Sequence, residues 1–317
     1  MYYIGIDLGG TNIAAGIVDE NLKIVKKDKT PTLASRAPEE IVADMGMLCN
    51  RLVKNAGLTI NDIAYVGIAS PGAINPETGY IVTSNNIPFV NYPMTETLRK
   101  YFPCEKIYIE NDANAAALGE ALAGAAKGAN ISVMITLGTG VGGGIIIDGK
   151  VYSGFNHYGA ELGHIVIDYK GRPCTCGRCG CWEAYSSATA LKRITREKLL
   201  VSPDTMMWDM IGNDINNVND MVAFAAMKKG DKPAQEVVDE YISYLACGVT
   251  NIVNIFQPDI ITIGGGICNE GDWLLVPLRE KVNGEQYTRS NEKKTEIKVA
   301  SLGNDAGIIG AAVLGLQ

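Results

Sequence analysis

Short β-branched blocks separated by glycine or Asx turns open the chain and predict strands at residues 3–7, 13–18 and 22–27. The same pattern returns at residues 132–137, 145–147 and 150–152. Laid over each other at an offset of 129, IGIDLGGTNIAAGIVDE and VMITLGTGVGGGIIID align Ile6 with Ile135, Leu8 with Leu137, Gly9 with Gly138 and Asp19 with Asp148. Duplication of one strand–loop–strand unit and chance likeness of two hairpins both account for this match. Elsewhere the apolar spacing changes to the helical period. It predicts helices at residues 38–56, 113–123, 183–199, 218–228, 232–256 and 305–316, with strands at 63–69, 107–110 and 260–263 between them. Such alternation indicates α/β lobes with mixed sheets. The Asn-rich stretch 208–219 reads as a loop with a short helix. With no low-complexity linker, the expected division is an N-terminal lobe at 1–123 and a C-terminal lobe at 124–317, hinged near 123–129. The C-terminal helix is expected to return to the first lobe.

At 317 residues the chain has room for two cores. Its net charge of −7 leaves no basic patch or tail, and the densest basic run, residues 23–29, reads as a solvated face. Nucleic acid is therefore not an expected partner. No apolar run approaches the ~18 to 20 residues of a membrane span, and the first strand follows the initial Met without a signal-like segment. A cytoplasmic protein is expected, in which clustered cysteines are not a disulfide framework by default. Cys49, Cys104, Cys247 and Cys268 stand in apolar surroundings and read as small buried hydrophobes.

Gly138-Thr139-Gly140-Val141-Gly142-Gly143 satisfies G-x-G-x-x-G formally, yet a strand rather than a helix follows it. That context rejects a dinucleotide fingerprint. Glycine hairpin tips still allow backbone N–H groups to approach phosphate closely. Two equivalent tips favour a nucleotide clamp over a pair of plain turns, and no P-loop sequence is present. Asp7, at the end of the first strand, suits either a hydrated Mg²⁺ beside phosphates or simple bonding to its own turn. Asp112, read as a helix N-cap, sits where a strand ends and a helix begins. The helix dipole and the strand's C-terminal end make that a place for an ionised base.

The motifs DLGGT (7–11), ENDANAAALGE (110–120), LGTGVGGG (137–144), GAELGH (159–164), CxCGxxGCxE (174–183) and NIFQPDIITIGGG (254–266) together resemble the ROK family of sugar kinases and sugar-responsive repressors. The resemblance implies a two-lobed, actin-like or hexokinase-like ATPase fold with duplicated mixed sheets and a central cleft. It implies an ATP-dependent hexokinase acting on the 6-hydroxyl of glucose, with another hexose, an N-acetylhexosamine or a non-catalytic sugar sensor as alternatives. By the same resemblance Asp112 is the general base. Gly72, Asn86, Asn111, Glu161, His164 and Glu183 bind the sugar, while Gly9, Gly10, Thr11, Thr139 and Gly140 hold phosphates. Gly264, Gly265 and Gly266 lie near the adenosine, and Asp7 serves Mg²⁺. A homodimer or higher homo-oligomer is also implied. His157 and Tyr158 stand where many relatives carry smaller residues.

His164, Cys174, Cys176, Cys179 and Cys181 offer five candidate ligands for a structural Zn²⁺, which takes four. Spacing alone favours Cys176 and Cys179, the C-x-x-C pair. The resemblance implies His164, Cys174, Cys176 and Cys181 instead, and a loop at 164–181 folded by zinc so that Glu183 points toward the sugar.

Overall fold

The computed structural model describes every residue of the chain except Asn85. Two compact units emerge, each assembled from separate stretches of sequence. The first comprises Met1–Met134, Gly144–Ala160 and Ala300–Gln317; the second comprises Ile135–Gly143 and Glu161–Val299.

In the first unit, β1 (Tyr2–Leu8), β2 (Asn12–Asp19) and β3 (Ile24–Pro31) form a meander, and β4 (Ile63–Ser70) joins the other edge of β1. Three short strands, β5 (Ala73–Asn75), β6 (Tyr80–Thr83) and β7 (Val90–Tyr92), make a separate small sheet. β8 (Ile107–Asn111) completes the main sheet, whose order is β3-β2-β1-β4-β8. β1–β4 and β4–β8 are parallel and β1–β2–β3 antiparallel, the mixed sheet expected from the sequence.

Helix α1 (Pro38–Asn55) lays Ile41, Met45, Leu48 and Leu52 on one stripe, all fully buried. With α2 (Met94–Tyr101) it covers Ile4, Ile6 and Leu8 of β1. The C-terminal helix α10 (Ala306–Ala312) belongs to this unit and lies directly on β1 and β4. Gly5 and Gly67 permit this approach: a Cβ on either would collide with the α10 backbone, at Ile308 and Ala311 respectively. Beside α10 runs α3 (Asp112–Ala123). Its buried Glu120 accepts from Leu302 N–H (2.7 Å), Ala125 N–H (2.7 Å) and Ser301 Oγ (3.2 Å), tying the C-terminal segment down.

The second five-stranded sheet has the order β11-β10-β9-β12-β13. It contains β9 (Ile131–Leu137), β10 (Val141–Ile147), β11 (Lys150–Val151), β12 (Ile260–Gly264) and β13 (Glu296–Val299). The division between units falls inside β9 and β10 rather than at residue 123. β10 begins at Val141, four residues earlier than the β-branched run suggests. Two of its glycines sit where neighbours occupy the side-chain space, Leu162 at Gly143 and Ala117 at Gly144.

The helix expected at 183–199 is broken into α4 (Glu183–Ser186) and α5 (Ala188–Val201). Ser187 between them is extended and caps α5, its hydroxyl accepting from Ala190 N–H at 3.0 Å. The short α6 (Met207–Met210) and α7 (Val222–Met227) follow, then the 25-residue α8 (Lys232–Phe256), capped by Asp231, and α9 (Asp272–Glu285). No helix among the described residues is long and apolar enough to cross a membrane.

Candidate active site and metal centre

In the first unit the chemistry gathers at the C-terminal ends of β1, β4 and β8. The N-cap of α3 is Asn111, not Asp112: its Oδ1 accepts from Ala113 N–H (2.9 Å) and Asn114 N–H (3.3 Å). Its extended backbone allows this, and Asp112 becomes the first helical residue. Asn111 Nδ2 donates to the Gly72 carbonyl at 3.1 Å, so two expected sugar-binding positions are joined. Gly72 has φ +106°, and a Cβ there would collide with the Thr83 carbonyl. The segment is further held by Glu110, whose buried carboxylate accepts from Asn111 N–H (2.8 Å) and Asn114 Nδ2 (3.1 Å).

Asp112 reaches solvent, but surrounding protein deprives its carboxylate of water and raises its pKa, against the opposing pull of the Ala113 N–H. Asp7 is more enclosed. Burial, and then the charge of Asp112, raise its carboxyl to about 6. A buried carboxyl held up by a neighbouring carboxylate's charge is a fitting place for a divalent cation, which would relieve it. Asp7 also packs against Gly307 of α10, where a side chain would overlap it. Beyond Asp7 the loop turns tightly, with Gly9 N–H donating to the Asn12 carbonyl at 3.0 Å. Gly10 and Thr11 are exposed at its tip, and Asn86 lies beside Gly10.

In the second unit the corresponding tip is exposed at Gly138 and Thr139, with Gly138 N–H donating to the Gly140 carbonyl at 3.0 Å. Gly265, at φ +103°, is pressed against the Leu137 backbone, so the GGG turn after β12 adjoins this hairpin. Glu183 Oε2 accepts from Val141 N–H at 2.9 Å, and its Oε1 faces Thr175 Oγ1 (3.4 Å) and Cys174 Sγ (3.7 Å). The expected sugar ligand therefore also braces the glycine loop.

His164, Cys174, Cys176 and Cys181 converge, their ligand atoms all within 4.8 Å of one another. Cys179 stands outside the cluster, paired by backbone bridging with Pro173. C-x-x-C spacing misleads here because the loop turns back at Gly177, φ +87°, carrying Cys179 away. The distances Cys176 Sγ–Cys181 Sγ (3.6 Å) and Cys174 Sγ–His164 Nδ1 (3.7 Å) suit the edges of a tetrahedron built on ~2.3 Å metal–sulfur bonds. Burial pushes the Cys181 thiol up to about 12, so a thiolate there needs a cation. Cys176 moves the other way, lowered chiefly by the Arg178 N–H. Next to the cluster, Trp182 is fully buried against Gly248 of α8 and donates to the Tyr244 carbonyl at 3.0 Å. That anchor fixes where Glu183 emerges.

Sequence reasoning missed Thr32 and Thr189, which bind the two glycine loops from outside their motifs, where an isolated Thr gives no signal of that. Glu110 lies within its motif, but its bonds to Asn111 and Asn114 were not foreseen.

The chain matches the ROK family over residues 3–317. It belongs to the ROK family. Among its ROK relatives, a glucokinase of Thermotoga maritima is 39% identical over 314 residues, covering 98% of this chain and 95% of that one. A glucokinase of Halalkalibacterium halodurans is 35% identical over 99% of this chain and 94% of its own. The crystal structure of a ROK family glucokinase from Streptomyces griseus, in complex with glucose and AMPPNP, superimposes with a TM-score of 0.79. It is 31% identical and 99% of each chain is covered. The ROK sugar-kinase neighbours give the fold as the actin-like, hexokinase-like ATPase type.

Proposed function

We propose that this protein is an ATP-dependent glucokinase that transfers the γ-phosphoryl group of ATP to the 6-hydroxyl of glucose. The observation that carries the reading is the carboxylate pair Asp112 and Asp7 at the strand ends, in a chain 39% identical to a named glucokinase. Phosphoryl transfer asks the protein mainly for positioning, charge stabilisation and a base. Asp112 takes the proton of the 6-hydroxyl. Burial raises its pKa, which makes the ionised carboxylate a better proton acceptor. Asn111, Gly72, Asn86, Glu161, His164 and Glu183 bind the pyranose hydroxyls, for which amides and carboxylates supply fixed donors and acceptors. Gly9, Gly10, Thr11, Thr139 and Gly140 bind the phosphates, and Gly264–Gly266 adjoin the adenosine.

Asp7 would hold hydrated Mg²⁺, which supplies charge neutralisation at the phosphates when bound. His164, Cys174, Cys176 and Cys181 would hold a structural Zn²⁺. Four protein ligands leave it no open position, so its contribution is to fix the loop that carries Glu183. A homodimer or higher homo-oligomer in the cytoplasm, feeding glycolysis, completes the reading.

The test is ADP release from Mg-ATP with glucose, mannose, fructose, N-acetylglucosamine and N-acetylmannosamine, beside Asp112→Asn. Turnover largely confined to glucose, and reduced at least ~10²-fold in the variant, is expected. Turnover on an N-acetyl sugar instead would overturn the substrate, and no turnover by folded, zinc-loaded protein would overturn the kinase.

A further inference from the structure

Thr32 is the first residue after β3 and is completely buried, although nothing in its own segment calls for a buried hydroxyl. The β2–β3 ladder ends at the pair Asn12↔Pro31, which sets Thr32 directly beneath the glycine loop of the first hairpin. From there it makes two bonds to that loop. Its hydroxyl donates to the Gly9 carbonyl at 2.6 Å, and its N–H donates to the Thr11 carbonyl at 2.9 Å.

The two bonds have a directional consequence. In a trans peptide the C=O and the following N–H point opposite ways. Holding the Gly9 and Thr11 carbonyls inward therefore turns the N–H groups of Gly10 and Asn12 outward, at the exposed tip. Two N–H groups turned the same way within one glycine loop form a donor site for an anion. Thr32 is itself anchored from behind. Arg36 Nη2 donates to the Thr32 carbonyl at 3.0 Å and to Asp44 Oδ2 of α1 at 2.5 Å. A chain of contacts thus runs from α1 through Arg36 and Thr32 to the loop.

We propose that Thr32 is a positioning residue for the nucleotide, aiming the Gly10 and Asn12 N–H groups at its phosphates without touching them. This rests on the kinase reading above. The isosteric exchange Thr32→Val keeps the shape and removes only the hydroxyl; Thr32→Ser keeps the hydroxyl and removes only a methyl group.

Calorimetric binding of Mg-AMPPNP and, separately, of glucose would be measured for the wild type and both variants, with thermal unfolding alongside. One misdirected hydrogen bond predicts AMPPNP affinity about five- to tenfold weaker in Thr32→Val. Glucose affinity should stay within about twofold, and Thr32→Ser should match the wild type. Thr32→Ala gives the same readout without added apolar bulk should the valine variant unfold. Equal AMPPNP affinity in the wild type and Thr32→Val would overturn the assignment and leave the kinase reading standing. So would a Thr32→Ser variant as weak as Thr32→Val, or equal weakening toward glucose, since both would mark a packing role. A folded wild type that binds no AMPPNP would overturn both readings together.

Discussion

The loop after β1 and the loop after β9 occupy equivalent places in two similar hairpins, yet different partners hold them. The first is braced from beneath by buried Thr32, through the Gly9 and Thr11 carbonyls. The second is braced from the side. Thr189 Oγ1 donates to the Thr139 carbonyl (2.8 Å), Ala188 N–H donates to the Gly138 carbonyl (2.8 Å), and Glu183 accepts from Val141 N–H. All three bracing residues follow the metal-ligand loop. The chemistry diverges too: at the offset of 129, Asp7 of the first hairpin corresponds to Thr136 of the second. A repeated backbone supplies two glycine turns; Asp7, within the repeat, gives one of them a carboxylate, while partners outside the repeat link the other to the Cys/His loop.

Metal removal should separate the hairpins most strongly, because structural zinc contributes on the order of 10 kcal/mol in small zinc domains. Purified protein is expected to contain about one zinc per chain, lost in Cys176→Ser, with faster amide exchange at Val141 and unchanged exchange at Gly9–Asn12. Equal loosening of both loops would break the comparison.

The next effect concerns Asp7. Its carboxyl titrates at about 6 folded against 3.8 in the unfolded reference, so the folded chain retains a proton between those values that unfolding releases. Stability from this group is full below the lower value and is lost as pH rises through the upper one. Asp7→Asn should therefore stabilise the ligand-free protein at pH 7.5 by at most about 3 kcal/mol and flatten its stability between the two values. Thr136→Val should leave the pH profile unchanged. Denaturant titrations across that range decide the matter, and a wild-type profile in Asp7→Asn would refute it.

The smallest contrast lies within the second loop. A Cβ at Gly140 would collide with Glu183 Oε2, whereas one at Gly138 meets nothing within 4 Å. Gly140→Ala should cost about 1–3 kcal/mol by displacing that carboxylate from the Val141 N–H, and Gly138→Ala less than ~0.5. Thermal unfolding of the two variants tests this, and equal costs would show that Glu183 does not brace the loop.

What the sequence determined by itself was short in range. Blocks of β-branched residues gave β1–β4 and β8–β12 but not β5, β6, β7 or β13, and the 3.6-residue period gave α1, α3 and α8. The glycine tips and the metal-ligand loop are each written within about twenty residues, so local chemistry announces them. Even there, the position of Cys179 needed the turn at Gly177, and the break at Ser187 needed a cap that propensity does not reveal. Only tertiary structure decided which residues brace the loops, since Thr32 and Gly9, or Val141 and Glu183, are brought together by strand pairing and chain reversal. The effect of the Asp112 charge on Asp7, which lies on a separate strand end, was likewise invisible. So was the seat of α10 on β1 and β4, because Gly5 and Gly67 acquire meaning only when a distant helix occupies the space they leave.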